Sequence, residues 1–269
     1  MTHALKIHGG KSYLAKWIIS HFPEHTHYVE PFFGGGSVMF QKPDEMVVDH
    51  SEVANDLDRE LTNFWRVMQC EKSFRLFQRK VEAIPFSMVE WKAADPTKEK
   101  TVVDRAVAFF IRLRQSRQGL GTCFATMSRS RTRRGMNEQA SSWWSAVEGL
   151  EEVHRRLQRV VIADLPATRL IAQEDSPHTL FYVDPPYLHS TRVATKAYTH
   201  EMSEEDHEDL LHRLSKISGR FVLSGYNSSL YEWYSHGEGW RRVEKQIDNK
   251  ASGKREKPVK TECLWMNFD

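Results

Sequence analysis

Residues 184–187 read Asp-Pro-Pro-Tyr and directly follow the apolar run Phe-Tyr-Val at 181–183. The two prolines have a fixed φ and no backbone N–H, so we expect them to end a strand in a rigid, extended corner. This proline corner places the carboxylate of Asp184, the carbonyl of Pro185 and the ring of Tyr187 close together. Two acceptors beside an aromatic face are suited to bind a planar molecule with an amino group, such as a nucleobase. The alternative is a strand-terminating turn in which the aspartate has no chemical role.

A glycine-rich segment followed by an acidic residue forms a second candidate site. Residues 30–37 read Glu-Pro-Phe-Phe-Gly-Gly-Gly-Ser, after a predicted short strand and before a predicted helix. Glycines let the backbone approach a ligand closely, and a helix start presents N–H groups that lack intrahelical partners. About twenty residues further along, a spacing known from nucleotide-binding sheets, Asp56 is predicted to end the next strand. Its carboxylate would accept hydrogen bonds from both hydroxyls of a ribose.

The glycine motifs exclude two common kinds of nucleotide site. Residues 34–36 lack the G-x-G-x-x-G spacing of dinucleotide-binding loops. Residues 9–12, Gly-Gly-Lys-Ser, resemble the end of a phosphate-binding P-loop, but Leu5 stands where the first glycine of that loop belongs. Nucleoside triphosphates are therefore not expected, and Lys11 can serve the carboxylate of a smaller ligand. A ligand with a ribose, an adenine ring and an amino-acid tail is S-adenosylmethionine.

Charge is distributed unevenly, although the net charge is only +2. Residues 105–134 contain eight arginines and no lysine, aspartate or glutamate. Arginine suits bidentate contact with phosphates or guanine edges, whereas a solvated helix face normally mixes both signs of charge. A second basic segment, residues 250–257, is interpreted either as a loop that touches DNA or as a solvated hairpin tip. Nucleic-acid contacts are predicted for Arg112, Arg114, Arg117, Arg129, Arg131, Arg133 and Arg134.

Cysteine and histidine usage limits the class of protein. Three widely separated cysteines form neither a disulfide framework nor a CxxC metal site, which indicates a reducing cytoplasm. No apolar run is long enough to span a bilayer, and the first residues do not read as a signal peptide. The thirteen histidines lack the spacing of metal ligands, so no metal is expected. Trp143 and Trp144 are interpreted as core residues, with a base-stacking platform as the alternative.

Short apolar strands alternate with helices at both ends of the chain. This alternation predicts an open, largely parallel sheet with helices on both faces. We predict that residues 1–69 and 156–269 form the catalytic domain and that residues 70–155 form a mostly helical insertion with a mobile basic loop. Helices are predicted over 14–22, 57–68 and 204–214, the last beginning after Ser203. Further strands are predicted at 46–49 with 52–56, and at 160–164, 179–183, 219–226 and 261–267.

Several collinear segments together resemble one known family. The chain is similar to the Dam-like DNA adenine methyltransferases, with the motifs in the alpha-group order of cofactor, target recognition and catalysis. The resemblance implies an α/β fold with a Rossmann-like, S-adenosylmethionine-dependent methyltransferase sheet and a helical target-recognition insertion. It covers both ends of the chain, while the insertion matches loosely. The matching segments are residues 8–11 with 14–15, residues 28–37, 55–56, 182–187, 223–226 and 262–265.

The resemblance implies a reaction and assigns residues to it. A methyl group would pass from S-adenosylmethionine directly to the exocyclic amino group of adenine in double-stranded DNA, after the base is flipped out of the duplex. By analogy with the family, the catalytic residues are Asp184, Pro185, Pro186 and Tyr187. The resemblance and the glycine-rich segment together assign the following residues to the cofactor site: Ile7, Lys11, Glu30, Pro31, Phe32, Gly34, Gly36, Ser37, Asp56 and Asp184. Asp164 is a further candidate contact.

Other readings stay open at this point. The same corner chemistry would serve the exocyclic amine of cytosine, or RNA, and a relative that binds DNA without catalysis is a third reading. The chain is expected to act as a monomer, with a dimer on DNA as the alternative. The arginine density of the insertion leads to the hypothesis of relaxed sequence specificity. A phage, a restriction–modification system and a chromosomal role all suit these motifs.

Overall fold

The structure is a computed structural model that describes residues 4–7, 9–125, 130–191, 200–248 and 259–269. His8 of the first motif, Arg129 and the basic segment 250–257 lie outside these ranges. The strands are β1 (His27–Glu30), β2 (Ser51–Asn55), β3 (Thr132–Arg133), β4 (Met136–Asn137), β5 (Val160–Ala163), β6 (Thr179–Val183), β7 (Arg220–Gly225), β8 (Arg241–Asp248) and β9 (Val259–Met266).

Ten α-helices occur in the described ranges. They are α1 (Ala15–Ile19), α2 (Arg59–Gln69), α3 (Glu71–Glu82), α4 (Met88–Ala93), α5 (Val102–Arg114), α6 (Glu138–Glu148), α7 (Leu150–Leu157), α8 (Ala167–Glu174), α9 (Glu204–Leu214) and α10 (Ser229–Gly237). None of the helices described is long and apolar enough to cross a membrane. The chain divides into two compact units, the first comprising Met1–Lys16, Gly34–Pro43 and Asp56–Asp164, the second Trp17–Phe33, Asp44–Asn55 and Leu165–Asp269.

The second unit contains six strands in the order β2-β1-β6-β7-β9-β8. Strands β2, β1, β6 and β7 are mutually parallel, whereas β9 runs antiparallel to both β7 and β8. The chain enters this sheet at β1, continues to β2 on one side, and later adds β6 on the other side. The strand order therefore switches between β1 and β6, which is where open α/β sheets bind ligands at the carboxyl ends of their strands. The predicted α/β fold class is confirmed.

Local sequence explains the elements that carry the corner. All five residues of β6, Thr-Leu-Phe-Tyr-Val, are buried, as expected for a central parallel strand covered on both faces. Helix α9 begins as predicted after Ser203, whose hydroxyl accepts from the N–H of Asp206 while the Asp206 carboxylate accepts from the N–H of Ser203. This capping box satisfies two donors at the helix start. The strand and the helix thus form where the sequence indicates.

The first unit is built mainly of helices around an aromatic core. The ring of Phe64 on α2 lies 5.7 Å from Phe77 on α3 and 6.0 Å from Phe110 on α5. Phe110 in turn contacts Trp143 on α6 at 5.2 Å. Each of these four side chains is at most 1% exposed. Burial of aromatic rings supplies the largest share of packing energy per residue, so this cluster fixes the helices to one another.

The structure corrects three of the predicted elements. The helix expected after the glycine segment is a single 3-10 turn, Met39–Gln41, because Pro43 keeps the residue before it, Lys42, in an extended conformation. The strand expected at 46–49 is absent from the described residues; a 3-10 turn, Asp44–Met46, precedes β2. Part of the basic loop is the antiparallel hairpin β3–β4.

Candidate functional site

The proline corner lies at the carboxyl end of β6, in the second unit. Val183 ends the strand, and the residues after it adopt no helix or strand as far as Leu188. Asp184 and Pro186 are half-buried, whereas Pro185 and Tyr187 are buried. Because β6 pairs with β1 on one side and β7 on the other, the corner stands at the middle of the sheet edge.

Two contacts fix the ring of Tyr187. Its hydroxyl donates a hydrogen bond to Oε1 of Glu262 on β9. Its ring meets that of Tyr226 edge to face, with centroids 4.6 Å apart and planes at 66°. The same Glu262 oxygen accepts from the hydroxyl of Ser224 on β7 at 2.8 Å. The aromatic wall of the corner is therefore held both at its hydroxyl and at its ring.

Burial and nearby carboxylates keep the phenols of the corner protonated. Burial, then the charges of Asp184 and Glu262, raise the pKa of Tyr187 well above its usual value. Burial also raises the pKa of Tyr182, with smaller effects from Asp184, Glu30 and Glu262. Both groups are neutral at physiological pH, so Tyr187 is able to act as the hydrogen-bond donor to Glu262.

The end of β1 forms a second fixed turn in the second unit. Glu30 is 1% exposed and accepts a hydrogen bond from the hydroxyl of Tyr28 at 2.7 Å. The side chain of Asn55 donates to the carbonyls of Pro31 and Leu165, both at 2.9 Å, and accepts from the N–H of Leu165 at 2.8 Å. Phe32, which follows Pro31, is half-buried. A single buried asparagine thus fixes the turn that precedes the glycines.

The glycine loop, Gly34–Ser37, belongs to the first unit and is anchored on Asp56. The N–H of Gly34 donates to Oδ2 of Asp56 at 2.8 Å, and the Gly34 carbonyl accepts from the indole of Trp65 at 3.0 Å. Gly34 and Gly36 have φ values of 50° and 65°, a region that glycine occupies without strain. The other carboxylate oxygen of Asp56 accepts from the N–H of Asp58 at 2.9 Å. Asp56 thus holds the glycine loop through one carboxylate oxygen and the backbone of Asp58 through the other.

The amino-terminal segment packs on this loop. The side chain of Ile7 lies beside Gly35. A Cβ added at Gly35 would stand 3.7 Å from Cδ1 of Ile7, an ordinary van der Waals distance. A Cβ at Gly10 would lie 3.2 Å from the Ile7 carbonyl and 3.5 Å from Oγ of Ser37. Lys11 is 5% exposed. Of the predicted cofactor residues, the structure thus brings Ile7, Ser37 and the loop glycines together within the first unit.

Two of the predicted DNA-contacting arginines donate hydrogen bonds from their guanidinium groups to backbone carbonyls. The guanidinium of Arg112 lies over the ring of Trp91, 4.0 Å from its centroid, and donates to the Trp91 carbonyl at 3.1 Å. Arg114 donates to the Ser142 carbonyl at 3.2 Å, and burial lowers its pKa to about 10, so it is still a cation at neutral pH. These two residues have structural contacts whatever else they bind.

The other predicted DNA-contacting arginines in the described residues lie around the β3–β4 hairpin or just after α5. Arg134 is bonded to Glu148, with Nη1 and Nη2 each 2.8–2.9 Å from one carboxylate oxygen. Arg131 is 75% exposed and 3.8 Å from Glu138, and Arg133 on β3 is also exposed. Arg117, in the 3-10 turn after α5, is exposed as well. Exposed cations on a hairpin suit contact with a phosphate backbone.

Three residues near the proline corner are not predicted from the sequence to belong to the site. Ser224, Tyr226 and Glu262 occur in segments 223–226 and 262–265, which match the family, but nothing in their spacing links them to Tyr187. A glutamate directly before the apolar stretch Cys263–Met266 is the one signal available, since a charged side chain is rarely buried without a partner. Among the residues described, no cluster of three or more histidine, cysteine or acidic side chains has metal-binding geometry.

Comparison with known proteins identifies a family. The model of a family described as D12 class N6 adenine-specific DNA methyltransferase matches residues 8–249. No curated protein matches the chain. Among solved structures, the rRNA methyltransferase aviRa from Streptomyces viridochromogenes is similar over 98% of this chain and 89% of that chain, at 11% sequence identity and a TM-score of 0.38. A TM-score this low supports no conclusion about function.

Proposed function

Because the chain belongs to the family of D12 class N6 adenine-specific DNA methyltransferases, we propose that it transfers the methyl group of S-adenosylmethionine directly to the exocyclic nitrogen of a flipped adenine. The observation that carries this proposal is the half-buried carboxylate of Asp184 followed by Pro185 at the carboxyl end of the central strand β6. The description of the family names adenine in DNA as the methyl acceptor. It therefore disfavours the alternatives of cytosine or RNA as the substrate.

The proline corner supplies what an aromatic amine needs to react. The lone pair of the adenine amino nitrogen is delocalised into the ring, so the nitrogen is a poor nucleophile. Asp184 and the carbonyl of Pro185 accept hydrogen bonds from its two N–H groups and favour the pyramidal form, in which the lone pair is localised. These acceptors gain most as positive charge develops on nitrogen, so they stabilise the transition state more than the ground state. Asp184 also takes up the proton that the methylated nitrogen loses.

The target nitrogen is paired inside the duplex and must leave it. Flipping the base costs a few kcal/mol of pairing and stacking, which an aromatic surface in the pocket offsets in part. Tyr187 is that surface in the proposal. Its neutral phenol, bonded to Glu262, leaves the ring in a defined orientation beside the two acceptors.

The chemistry of the loop residues fits the proposed methyl donor. When bound, S-adenosylmethionine supplies an electrophilic sulfonium methyl group. Asp56 offers a carboxylate for the ribose hydroxyls, and the left-handed Gly34, which has open space where a Cβ would stand, allows close approach of the backbone. Gly36 has the same left-handed conformation. Phe32 offers a ring for the adenine, and Lys11 a cation for the amino-acid carboxylate. The other residues proposed to contact the methyl donor are Ile7, Glu30, Pro31, Ser37 and Asp184.

For the DNA, the proposal assigns backbone contacts to exposed arginines. Arg117, Arg131 and Arg133 are exposed in the first unit, and Arg131 also forms an exposed ion pair with Glu138 at 3.8 Å. Phosphate contacts carry no sequence information, which accords with relaxed specificity. Arg112, Arg114 and Arg134 would contribute through the parts of the insertion that they hold in place.

Identification of the product tests the proposal. Plasmid DNA from a host without adenine methylation is incubated with the protein and labelled S-adenosylmethionine, digested, and analysed by mass spectrometry. The expected product is 6-methyladenine; 4-methylcytosine, or label found only in an RNA substrate run in parallel, would overturn the proposal. Calorimetry with S-adenosylmethionine identifies an inactive relative, which would not bind the donor. Single-molecule sequencing of the methylated plasmid gives the sites, and one dominant motif would refute relaxed specificity.

A further inference from the structure

Glu262 is a buried carboxylate with two hydroxyl donors on the same oxygen. It is 1% exposed, and its Oε1 accepts from Ser224 at 2.8 Å and from the phenol of Tyr187. The three side chains come from β9, from β7 and from the proline corner, all within the second unit. A carboxylate removed from water costs several kcal/mol unless hydrogen bonds compensate, so a purely apolar side chain would be the simpler solution at this position.

The backbone of the proline corner is rigid, but the Tyr187 side chain has two torsions of its own. Prolines at 185 and 186 fix φ at those residues and not the orientation of the ring that follows. The edge-to-face contact with Tyr226 restrains the ring along one side. The bond to Glu262 fixes the position of the hydroxyl and hence the direction of the ring axis, whereas the contact with Tyr226 limits rotation about that axis.

We propose that Glu262 is a positioning residue for methyl transfer, holding the phenol of Tyr187 so that the ring lies in one orientation beside Asp184. The inference rests on the proposed function, because it presumes that the acceptor base stacks on Tyr187. A base that stacks on a tilted ring presents its nitrogen off the line of attack. A misplacement of about 1 Å lowers the rate of such a reaction by about 100-fold.

The pKa of Tyr187 agrees with this role. Burial, Asp184 and Glu262 raise it, so the phenol keeps its proton and its donor capacity over the working range of pH. The bond is therefore present whenever the enzyme works. Tyr187 contributes a ring to the acceptor, while Glu262 acts only through that ring and is not itself catalytic.

The test is a double-mutant cycle on the full chain. Single-turnover methyl transfer to plasmid DNA is measured for Glu262→Ala, Tyr187→Phe and the double variant, with donor affinity from calorimetry and thermal unfolding alongside. Each single variant is expected to lower the transfer rate between about 10- and 100-fold, with donor affinity within about threefold of the parent. The double variant is expected to be no slower than the slower single variant, since both remove the same bond.

Two further variants separate positioning from general stability. Glu262→Gln keeps a carbonyl acceptor for the phenol and is expected to restore the rate to within about threefold of the parent. Glu52→Ala removes another strand carboxylate that is 1% exposed, and it is expected to lower thermal stability without slowing transfer. If Glu262→Ala does not fold, Tyr187→Phe still removes the bond while leaving the carboxylate and the ring.

Three results overturn the inference. They are an unchanged transfer rate in Tyr187→Phe, rate losses that multiply in the double variant, and a rate loss in Glu52→Ala equal to that in Glu262→Ala. Failure of the proposed function has a different signature, because the parent protein itself then yields no methylated adenine. The two failures are therefore distinguished before any variant is compared.

Discussion

Arg134 donates hydrogen bonds from its two Nη atoms to the two carboxylate oxygens of Glu148, at 2.8 and 2.9 Å. Arg134 is the first residue of the turn between β3 and β4, where it adopts a φ of 56° beside Gly135 at 73°. The hydrogen bonds and charge of Glu148 raise the pKa of Arg134, and Arg134 lowers that of Glu148, so the pair is ionised. It fastens the tip of the hairpin to α6. The arginines of this segment are thus not equivalent.

Replacing Arg131 and Arg133 with glutamine is expected to reduce the salt dependence of DNA binding. Removing one phosphate interaction lowers the slope of log K against log salt by about 0.9, so the double variant should have a slope smaller by about two units. The slope is measured by fluorescence anisotropy on duplex DNA between low and physiological salt.

Arg134→Gln is the matched control for that pair. Since the Arg134 guanidinium is already neutralised by Glu148, its removal should change the slope by clearly less than one unit. Equal slopes for the parent and the Arg131/Arg133 variant would show that the hairpin arginines do not bind phosphates.

Asp56→Ala is expected to weaken binding of S-adenosylmethionine more than tenfold, because it removes both the proposed ribose contact and the anchor of Gly34. Calorimetry measures the affinity. Asp58→Ala is the control: Asp58 caps α2 by accepting from the N–H groups of Glu60 and Leu61, and its replacement should cost about 1 kcal/mol of stability without changing donor affinity. Equal donor affinity in the two variants would exclude Asp56 from the donor site.

The central elements could be predicted from the sequence because their signals are local. An apolar run ending in two prolines specifies β6 and its corner, and a serine followed by three acidic residues specifies the start of α9. The glycine loop was also evident, but the helix expected after it fails at Pro43, a signal that the sequence does contain.

What could not be predicted depends on partners far apart in the chain. Strand β8 carries charged residues at most positions and becomes a strand through its pairing with β9. The bond between Tyr187 and Glu262 joins residues 75 positions apart, and no periodicity reports such a separation. The hairpin β3–β4 has only two residues in each strand, too few for an alternating pattern to be recognised.

Trp143→Ala is expected to lower the free energy of unfolding by about 3–5 kcal/mol, since the side chain is buried in the aromatic core of the first unit. The neighbouring Trp144 is 37% exposed, so its interpretation as a core residue is wrong, and its replacement should cost less than about 1 kcal/mol. Urea denaturation of both variants checks the difference. Similar losses of stability would contradict the assignment of Trp143, rather than Trp144, to the core.

The stability of the fold is expected to decline above about pH 10, where a phenol in the unfolded chain begins to ionise. In the folded protein the pKa values of Tyr28, Tyr182 and Tyr187 are raised, chiefly by burial. Above about pH 10 the unfolded chain therefore holds fewer protons than the folded one, and the free energy of unfolding falls as pH rises. Below that pH the contribution is complete and constant.

Urea unfolding between about pH 8 and pH 11.5 measures this decline, to which each buried phenol adds up to about 1.4 kcal/mol per pH unit. Tyr182→Phe should show a shallower decline than the parent. Tyr13→Phe, at a residue that is 54% exposed, should not. A decline of equal steepness in all three proteins would rule out the buried phenols as its cause.

Asp184→Ala is expected to abolish methyl transfer while leaving DNA binding within a few-fold of the parent. Removing one preorganised acceptor from a transition state costs about 100- to 1000-fold in rate, and Asp184 has in addition the proton to accept. Asp184→Asn keeps the shape and one acceptor but presents an N–H₂ group to the amine. Its rate should therefore also fall at least about 100-fold. Single-turnover assays with labelled donor give the rates, and anisotropy gives the DNA affinity. Label transferred to adenine at the parental rate by Asp184→Ala would refute the proposed mechanism, whereas a parallel loss of DNA binding would move Asp184 from catalysis to the architecture of the corner.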